Sequence, residues 1–402
     1  MTAISKNNKY FGPNLHLAED SAIPLHHQIA EAVFKEIVKL RVPSGTCIIP
    51  ERMMAQKLNL NRSTVHKGYM KLLEDGVIEQ RNGGRLYYIS KDISNKYKIS
   101  LFPSIGIVMP YKMSTYINPS NFMTLDYLAG IMDEASEIGF SVTFISLPSL
   151  DEDKKIIHEW AENLFSKLSG LIYLGCRSGE NDTATELLLN EKSIPQVFLT
   201  GISNLPHISS VLADPKPGLL SATQHLRENG HSNVGILSFE VNKGKEFKSF
   251  ARDRHQTMLQ AIRETGLNCP NEWIAQKCDT RDNIRKELKK ILSKKEHPTA
   301  FLCQNDEVAA NVSLVLHELN VKIPDEISLI GFDDARYAVD TVPQLTTVKV
   351  PRYIMGRKSV SLLIDLLENI NNSKALKLYV PTSLVIRSST GKVPAPRKVF
   401  AL

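Results

Sequence analysis

The chain has 402 residues, 42% of them hydrophobic and 23% charged, a composition typical of a soluble globular protein with two or three domains. It has no apolar run of about 18 residues, and its first ten residues lack the apolar core of a signal peptide, so we expect no membrane span and a cytoplasmic location. The net charge is +6, and the whole excess lies in residues 1–98, which hold 15 Lys and Arg against nine Asp and Glu. This segregation favours a phosphate-binding module joined to a neutral domain.

Residues 24–90 predict three helices followed by a β-hairpin. The first helix begins after Pro24 and ends before Val42, and its apolar face is formed by Leu25, Ile29, Val33, Ile37 and Leu40. Two further helices, over about 51–58 and 62–74, are separated by a tight link at 59–61. Residues 77–81 and 86–89 flank a glycine turn, which is typical of a hairpin.

The third predicted helix has one apolar and one cationic face. Val65, Tyr69, Leu72 and Leu73 share the first, while Arg62, Thr64, His66, Lys67 and Lys71 fall elsewhere. Three helices closed by a hairpin make a winged helix-turn-helix, whose third helix fits the DNA major groove. A basic amphipathic helix alone is most often a solvated surface, and it is the order of the elements that favours DNA binding.

Four stretches carry a family resemblance: PLHHQI at 24–29, GTCIIPERMMA at 45–55, NRSTVHKG at 61–68 and LLEDGVI at 72–78. In this order they resemble the motifs P-L-Y-x-Q-I, G-x-x-L-P-S-E-R-x-L-A, S-R-x-T-V-x-x-A and L-x-x-x-G-x-I of the GntR family of winged-helix regulators, over residues 22–90. The resemblance implies a partner, double-stranded operator DNA. It predicts DNA contacts at Arg52, Asn61, Arg62, Ser63, Thr64, His66, Lys67, Gly83, Gly84 and Arg85.

Two departures from the GntR pattern affect this prediction. Ile49-Pro50 stands where the family has Pro-Ser, and the wing reads GGRLYY at 83–88 instead of G-x-G-T-[FY]-V. The second departure shifts the expected wing contact toward Arg85, so the base preference of relatives does not transfer to this chain.

Beyond a polar linker, short apolar runs alternate with helical stretches. The predicted strands are 105–110, 141–146, 170–174, 196–199, 211–213, 234–237, 299–302 and 328–330. Repeated βα units predict an α/β domain with parallel sheets covered by helices, and about 290 residues suit two such sheets better than one.

Polar loops follow several of these strands. They are residues 118–122, 175–178, 303–306 and 331–334. Ligands of parallel sheets bind beyond the carboxyl ends of the strands, and Asn and Asp side chains suit a polyhydroxylated ligand. For any single loop, capping of the next helix is the simpler explanation, and Asp306 is our best candidate for a structural role.

A second resemblance rests on five ordered stretches: QHLRENGH at 224–231 with VGI at 234–236, PTAF at 298–301 with Asn305-Asp306, IPDEISLIGFDD at 323–334, PQLTTV at 343–348 and IRSST at 386–390. They resemble the effector domain of LacI/GalR repressors, which shares the fold of periplasmic sugar-binding proteins, over residues 103–392. The resemblance implies effector contacts at Asn121, Phe122, Arg254, Asn305 and Asp333, with Arg352 and Met355 nearby.

Two departures leave the ligand open. RHQTM at 254–258 replaces the family's R-x-x-G-[FY], and Thr200 stands where an acidic group is common. Arg252, two residues before Arg254, is a rival for the arginine role.

We predict a winged helix-turn-helix at 1–90, a linker at 91–102, a two-lobed body at 103–392 and a tail at 393–402. The family topology suggests one lobe from 103–211 with 345–372 and another from 212–344 with 373–392, with crossings near Ser210, Pro343 and Asn372.

The predicted function is a ligand-responsive transcription regulator that acts as a homodimer, a repressor of carbohydrate-utilisation genes responding to a sugar or sugar derivative. A non-sugar effector, an activator and a solute-binding protein are the alternatives. Patterns typical of hydrolases, zinc proteases and P-loop enzymes are missing from the sequence, so we predict a non-enzyme. Scattered cysteines (Cys47, Cys176, Cys269, Cys278 and Cys303) predict neither a disulfide framework nor a metal site, and no cofactor is expected.

Overall fold

The computed structural model describes residues 10–13, 15, 17, 24–39, 42–81, 84, 86–91, 104–109, 123–165, 167–175, 182–201, 205–239, 249–368 and 374–393. Within these ranges no helix combines the length and the apolar character needed to cross a membrane. We call residues 10–91 the head and residues 104–393 the body, and we describe each by itself.

The head contains the predicted helices and hairpin. Its elements are α1 (Leu25–Lys39), α2 (Glu51–Leu58), α3 (Arg62–Glu74), β1 (Ile78–Gln80) and β2 (Tyr87–Ile89). β1 and β2 pair antiparallel, with Ile78 opposite Ile89. The bounds of α2 and α3 are those predicted, whereas Leu40 of the predicted first helix lies outside the described residues.

The tight link between α2 and α3 depends on two asparagines. Asn59 ends α2 in the left-handed conformation, with φ of 52°, which asparagine tolerates better than most residues. Asn61 begins α3, and its Oδ1 accepts a hydrogen bond from the Ser63 amide at 3.0 Å. These two caps set where the helices stop and start, which is why their bounds could be predicted from the sequence.

A segment before α1 packs onto the rest of the head; it lies within the predicted domain at 1–90, but no contact was predicted for it. Phe11 is 4% exposed and joins the core of the head, and its amide donates to the Cys47 carbonyl at 2.7 Å. The Lys57 ammonium on α2 donates to the carbonyls of Gly12 and Pro13, both at 2.9 Å. Residues 10–13 are therefore attached to the head by one apolar side chain and several hydrogen bonds.

The body alternates strands and helices along the chain. Its strands are β3 (Ser104–Met109), β4 (Ser141–Ser146), β5 (Gly170–Tyr173), β6 (Gln196–Leu199), β7 (Ile208–Asp214), β8 (Val234–Leu237), β9 (Ile274–Ala275), β10 (Ala300–Cys303), β11 (Ser328–Asp333), β12 (Thr346–Lys349), β13 (Lys377–Pro381) and β14 (Ser383–Val385). Its helices are α4 (Met123–Glu137), α5 (Lys154–Phe165), α6 (Thr183–Asn190), α7 (Pro215–Glu228), α8 (Ser249–Glu264), α9 (Arg281–Leu292), α10 (Asp306–Glu318), α11 (Arg336–Asp340) and α12 (Arg352–Glu368).

These strands form two six-stranded sheets, as predicted. The first sheet has the order β13-β7-β6-β5-β3-β4, and the second has the order β14-β12-β11-β10-β8-β9. In the second sheet β8, β10, β11 and β12 pair in parallel, and β14 runs antiparallel to β12. The central strands are buried along their whole length, which is typical of parallel sheets covered on both faces.

The predicted division of the body into lobes is partly wrong. β12 was placed in the first lobe, but it pairs with β11 in the second sheet, with Thr346 opposite Ile330. β13 was placed in the second lobe, but it pairs with β7 in the first sheet. The chain therefore crosses between sheets after β7, after β12 and between β13 and β14. Strand pairing with distant partners decides these points, and no local pattern in the sequence reveals it.

α4 and α12 pack closely through two glycines. A Cβ at Gly130 would overlap the main-chain oxygen of Tyr353, and one at Gly356 would overlap that of Tyr127. Arg357 adds ion pairs to Glu137 at 2.6 Å and Glu134 at 2.5 Å across the same contact. The close approach fixes the start of α12, which carries Arg352, against α4.

Asp306 ties together the loop after β11 and the neighbouring strand β12. Its side chain is fully buried; Oδ2 accepts from the Ala335 amide at 2.7 Å and Oδ1 from the Thr347 hydroxyl at 2.5 Å. A Cβ at Gly331 would overlap Oδ1, so the glycine makes room for this carboxyl group. The structural role predicted for Asp306 is therefore what the contacts indicate.

Burial of the Asp306 carboxyl group makes the free energy of unfolding depend on pH in a predictable direction. Burial raises the pKa of Asp306 from 3.8 to about 7, so the folded chain keeps this proton where the unfolded chain loses it. The resulting stabilisation is complete below about pH 4 and is lost as pH rises through 7, at roughly 1.4 kcal/mol per pH unit. We expect the melting temperature of the wild type to fall, relative to that of Asp306→Asn, between pH 5 and 7.

Above about pH 8 the difference in melting temperature is expected to stay constant, because Asp306 is then ionised in both states. The amide that replaces the carboxyl group in Asp306→Asn can accept from the Ala335 amide and donate to the Thr347 hydroxyl, so the fold is retained. Asp325→Asn, outside the buried core, controls for the loss of one carboxylate. A difference between wild type and Asp306→Asn that is the same at pH 5 and pH 8 contradicts the prediction.

Candidate DNA-binding face and effector site

α3 presents one polar face to solvent. Its buried residues are Val65, Gly68, Tyr69 and Leu72, and they pack against the rest of the head. Gly68 lets α1 approach, since a Cβ there would lie 3.0 Å from the Ile29 side chain. The opposite face exposes Arg62, Ser63, His66 and Lys67, with Thr64 half-buried. Five of the predicted DNA contacts therefore lie on one face of α3, and an α-helix fits into the major groove of DNA.

The remaining predicted DNA contacts are placed differently. Arg52 is exposed on α2, and Gly84 is exposed in the hairpin turn, whereas Gly83 and Arg85 lie outside the described residues. Asn61 is exposed, but its Oδ1 is occupied as the cap of α3. In the β1–β2 hairpin, the Arg81 guanidinium lies 4.5 Å from the centre of the Tyr88 ring and forms an ion pair with Glu79 at 3.1 Å. Arg81 was not among the predicted contacts.

Glu51 connects α2, α3 and the β1–β2 hairpin. Its Oε1 accepts from the Tyr87 hydroxyl at 2.9 Å and from the His66 Nδ1 at 2.8 Å, and its Oε2 accepts from the Arg62 Nε at 3.3 Å. Burial raises the pKa of Glu51, but hydrogen bonds from His66 and Tyr87 outweigh burial and hold the pKa below its ordinary value. In the sequence Glu51 was part of a motif, and no contact was predicted for it.

In the body, Asp333 and Arg254 form a pair at the carboxyl end of β11. Arg254 Nη2 donates to Asp333 Oδ1 at 3.2 Å, and Nη1 donates to the Gln304 carbonyl at 2.6 Å. The guanidinium also lies 3.8 Å from the centre of the Phe332 ring, which is a cation–π contact. Both charged side chains are about one-fifth exposed, so the pair is accessible at its edge. Arg252 is exposed on the same helix, and Arg254 is the arginine that meets Asp333.

Arg352 holds the same loop from the other side. It is 5% exposed, and its two terminal nitrogens donate to the Asp333 carbonyl oxygen at 2.7 and 2.6 Å. Asp333 and Asp334 have positive φ values of 112° and 53°, a conformation that non-glycine residues adopt only where contacts hold it. Arg387 supplies such a contact, donating to Asp334 Oδ1 at 2.7 Å. Arg352 and Arg387 therefore hold the conformation of the loop at Asp333 and Asp334.

Tyr127 on α4 belongs to this cluster and was not predicted from the sequence. It interacts electrostatically with Arg352, Asp333 and Arg254, and burial raises the pKa of its hydroxyl above the ordinary range. A neutral hydroxyl can both donate and accept hydrogen bonds. The alternation of apolar and polar residues on α4 gave no signal for this role, because half-buried tyrosines are common on amphipathic helices.

Four predicted effector residues lie outside this cluster or beyond the described chain. Asn305 caps α10, with its Oδ1 accepting from the Val308 amide at 2.9 Å, which matches the simpler explanation of that loop. Met355 is fully buried and presents no surface to a ligand. Asn121 and Phe122 lie outside the described residues. The structure thus brings together Arg254, Asp333 and Arg352 and adds Tyr127.

The cluster suits a ligand with several hydroxyl groups. A carboxylate accepts hydrogen bonds and a guanidinium donates them in a fixed plane, so the pair can engage two neighbouring hydroxyls at once. Arg254 meets Asp333 at Oδ1, and the second carboxylate oxygen has further capacity to accept. No three His, Cys, Asp or Glu side chains in the described part of the chain are grouped to hold a metal ion.

A separate groove lies on the surface formed by α10 and α11. Its volume is about 530 Å³, and it contains none of the predicted effector residues. The lining residues are Ala310, Ser313, Leu314, His317, Tyr337, Asp340, Thr341 and Val342. Of these lining residues, Leu314 and Val342 are exposed to 45% and 91%. An exposed apolar surface of this kind is more typical of a protein contact than of a polar ligand site.

Comparison with known proteins supports the organisation of the chain. A family model described as a periplasmic binding protein-like domain matches residues 223–390. The "Arabinose metabolism transcriptional repressor" of Geobacillus stearothermophilus is 26% identical over 382 residues, spanning 93% of this chain and all of that protein. The "HTH-type transcriptional repressor PurR" of Photobacterium profundum is 27% identical over 305 residues, spanning 76% of this chain and 86% of that protein.

Solved structures give the same result for the fold. A regulatory protein of the LacI family from Chloroflexus aggregans superimposes with a TM-score of 0.56 at 24% identity, covering 72% of this chain and 98% of that one. The complex of the transcriptional regulator CelR with cellobiose has a TM-score of 0.56 at 19% identity, covering 85% of this chain and 99% of that one. The chain therefore has an N-terminal head of mainly helices, followed in sequence by a domain with the α/β fold of periplasmic binding protein-like domains, built on two sheets.

Proposed function

We propose that this protein is a one-component transcription regulator, a repressor of carbohydrate-utilisation genes that binds operator DNA through a GntR-type winged head and a sugar or sugar derivative through its body. We place it in the bacterial cytoplasm, where the operator DNA is, and we assign it a binding role without enzymatic activity. The observation that carries the proposal is the presence, in one chain, of the exposed cationic face of α3 and the Arg254–Asp333–Arg352 cluster.

The head supports the DNA-binding part by its geometry and charge. Arg62, His66 and Lys67 lie on the exposed face of α3, and the hairpin of the same head carries Arg81. Lysine and arginine neutralise phosphates, and a helix in the major groove reads base edges. The similarity to a repressor of arabinose metabolism supports the same assignment, because it covers 93% of this chain and so extends over the head as well as the body.

The chemistry of the cluster supports a carbohydrate effector. Arg254 is stacked on Phe332 and paired with Asp333, so its fork is held in one orientation before any ligand arrives. Arg254 and Asp333 are each about one-fifth exposed, so their edges offer a donor and an acceptor that suit two neighbouring hydroxyls of a sugar ring. A nucleobase is the alternative effector, and it forms the second arm of the experiment below.

The division of labour between head and body predicts opposite effects for two substitutions. Arg62→Ala removes a DNA contact and is expected to weaken binding to DNA upstream of the protein's own gene by about tenfold or more. Asp333→Asn keeps the shape and tolerates positive φ but removes the charge that Arg254 meets, so it should abolish the rise in melting temperature caused by the effector. The measurements are fluorescence anisotropy with labelled DNA and thermal shift with L-arabinose, cellobiose and nucleobases.

Each variant serves as the control for the other. Arg62→Ala should retain the full ligand-induced rise in melting temperature, and Asp333→Asn should retain the DNA affinity of the ligand-free wild type. Loss of both properties in either variant refutes the separation of the two sites. If only a nucleobase raises the melting temperature, the sugar assignment is wrong and the regulator assignment stands.

We also propose that the protein acts as a homodimer, and that the exposed apolar side chains of Leu314 and Val342 on the groove of α10 and α11 lie in the contact between the two copies. Val342 is 91% exposed, so Val342→Asp costs little in the folded monomer but places a charge in the proposed contact. We expect the wild type to sediment as a dimer and Val342→Asp to raise the dimer dissociation constant about tenfold or more. Leu150→Asp, at another exposed apolar position, is the control. A wild type that is monomeric at micromolar concentration, or a dimer that Val342→Asp leaves intact, contradicts this prediction.

A further inference from the structure

Glu51 has an unusual position for an acidic residue in a domain that carries the basic excess of the chain. Its side chain is 11% exposed, whereas the side chains it bonds on α3 are largely exposed, Arg62 at 71% and His66 at 51%. The carboxylate therefore lies behind the surface and contacts the inner atoms of two surface residues. A carboxylate at the start of a helix also interacts favourably with the helix dipole, so this position alone assigns no further role.

The bond to Arg62 uses only one part of the guanidinium. Glu51 Oε2 accepts from Nε at 3.3 Å, and this is the bond the structure gives to Arg62 within the described head. The two terminal nitrogens keep their N–H groups, which form the fork that binds a phosphate or the paired acceptors of guanine. The contact with Glu51 thus restricts the orientation of the side chain while leaving its recognition end unused.

The bond to His66 determines which ring nitrogen carries the proton. Glu51 Oε1 meets Nδ1 at 2.8 Å, and an ionised carboxylate only accepts hydrogen bonds, so Nδ1 must be the donor. In the neutral ring Nε2 is then an acceptor, because the hydrogen bond made by one nitrogen sets the state of the other. Tyr87 donates to the same oxygen at 2.9 Å and fixes the carboxylate against the wing.

An acceptor on α3 selects particular bases. In the major groove the exocyclic amino groups of adenine (N6) and cytosine (N4) are donors, whereas guanine presents only acceptors and thymine an acceptor and a methyl group. A histidine held with Nε2 as acceptor can therefore bond adenine or cytosine.

We infer that Glu51 is a positioning residue for DNA reading, which orients the Arg62 fork and holds His66 as an acceptor for the amino group of an adenine or cytosine in the operator. The inference rests on the proposed DNA-binding function and deepens it. It assigns a chemical role to a residue that touches no base itself.

The test compares Glu51→Gln with Glu79→Gln in the full chain. Both substitutions remove one negative charge from the head, and both carboxylates pair with an arginine, Arg62 and Arg81 respectively. If Glu51 contributed only charge, both variants would bind operator and random DNA more tightly to the same degree. The amide introduced by Glu51→Gln has one acceptor oxygen and one NH2 group, so it cannot accept from Arg62 and His66 through two separate oxygens and does not hold His66 in one tautomer.

We expect Glu51→Gln to weaken operator binding about tenfold while its affinity for a random duplex is unchanged or higher, so that the ratio of the two affinities falls. Glu79→Gln should leave that ratio within about twofold of the wild type. Retained binding to the random duplex shows that the head of Glu51→Gln is folded. An unchanged operator-to-random ratio in Glu51→Gln overturns the inference, and a wild type that does not prefer its operator overturns the proposed function together with it.

Base analogues test the acceptor directly. Replacing each adenine in turn by purine, and each cytosine by a pyrimidinone without the amino group, removes one donor at a time from the operator. One such replacement should weaken binding of the wild type about fivefold or more and have no further effect on His66→Ala or Glu51→Gln. If every replacement acts equally on wild type and His66→Ala, His66 accepts no amino group and the inference is wrong.

Discussion

The two hydrogen bonds from the Arg352 guanidinium to the Asp333 carbonyl, which we call the clamp, are the interaction on which the cluster of Arg254, Asp333 and Arg352 depends. We call this cluster the body site. A buried guanidinium needs acceptors, and here both of its terminal nitrogens bond one main-chain oxygen at the end of β11. This clamp supports two consecutive residues with positive φ and leaves the Asp333 carboxylate facing Arg254. Asp306 fixes the next residues of the loop through the Ala335 amide. The site is therefore held by contacts made before a ligand binds, which reduces the ordering that binding requires.

The two parts of the chain use the same device for different purposes. In the body, arginines hold an acidic loop so that the Asp333 carboxylate faces Arg254 at the proposed ligand site. In the head, a carboxylate that is 11% exposed holds two basic side chains so that their outer atoms face solvent. In both places the group that fixes the geometry is less exposed than the group that we propose meets the ligand. A buried charge that is fully hydrogen-bonded fixes geometry, whereas an unpaired one would be destabilising.

The head was predicted better than the body because local signals define the head. Asn59 marks the end of α2 and Asn61 the start of α3, so the predicted bounds of these two helices agree with the structure, and the glycine turn marks the hairpin. Eight of the twelve body strands were also located, since buried parallel strands are short continuous apolar runs, whereas β9, β12, β13 and β14 were not predicted as strands. What failed was the assignment of β12 and β13 to their sheets, because partners more than 100 residues away decide the pairing of β13. β9, with two residues, and the segment around Phe11 gave no periodic signal.

For the body site, the charged residues were predicted from the sequence and the contacts that orient them were not. Arg254 and Asp333 were predicted from a family resemblance, and the structure places them within 3.2 Å of each other. Met355 was predicted to lie near the ligand, but its side chain is fully buried. The sequence of α12 does not reveal which face of the helix is covered, so this burial could not be predicted. Tyr127 was missed because only the packing of α4 against α12 brings it to the cluster.

We propose that ligand capture in the body and DNA binding by the head are coupled within one chain. Calorimetric titration of the full chain, with the carbohydrate that raises its melting temperature, tests this claim when it is carried out with and without saturating operator DNA. Because coupling between two binding sites is reciprocal, we predict that operator changes the effector dissociation constant by about fivefold or more. A dissociation constant that is the same with and without operator would contradict the claim.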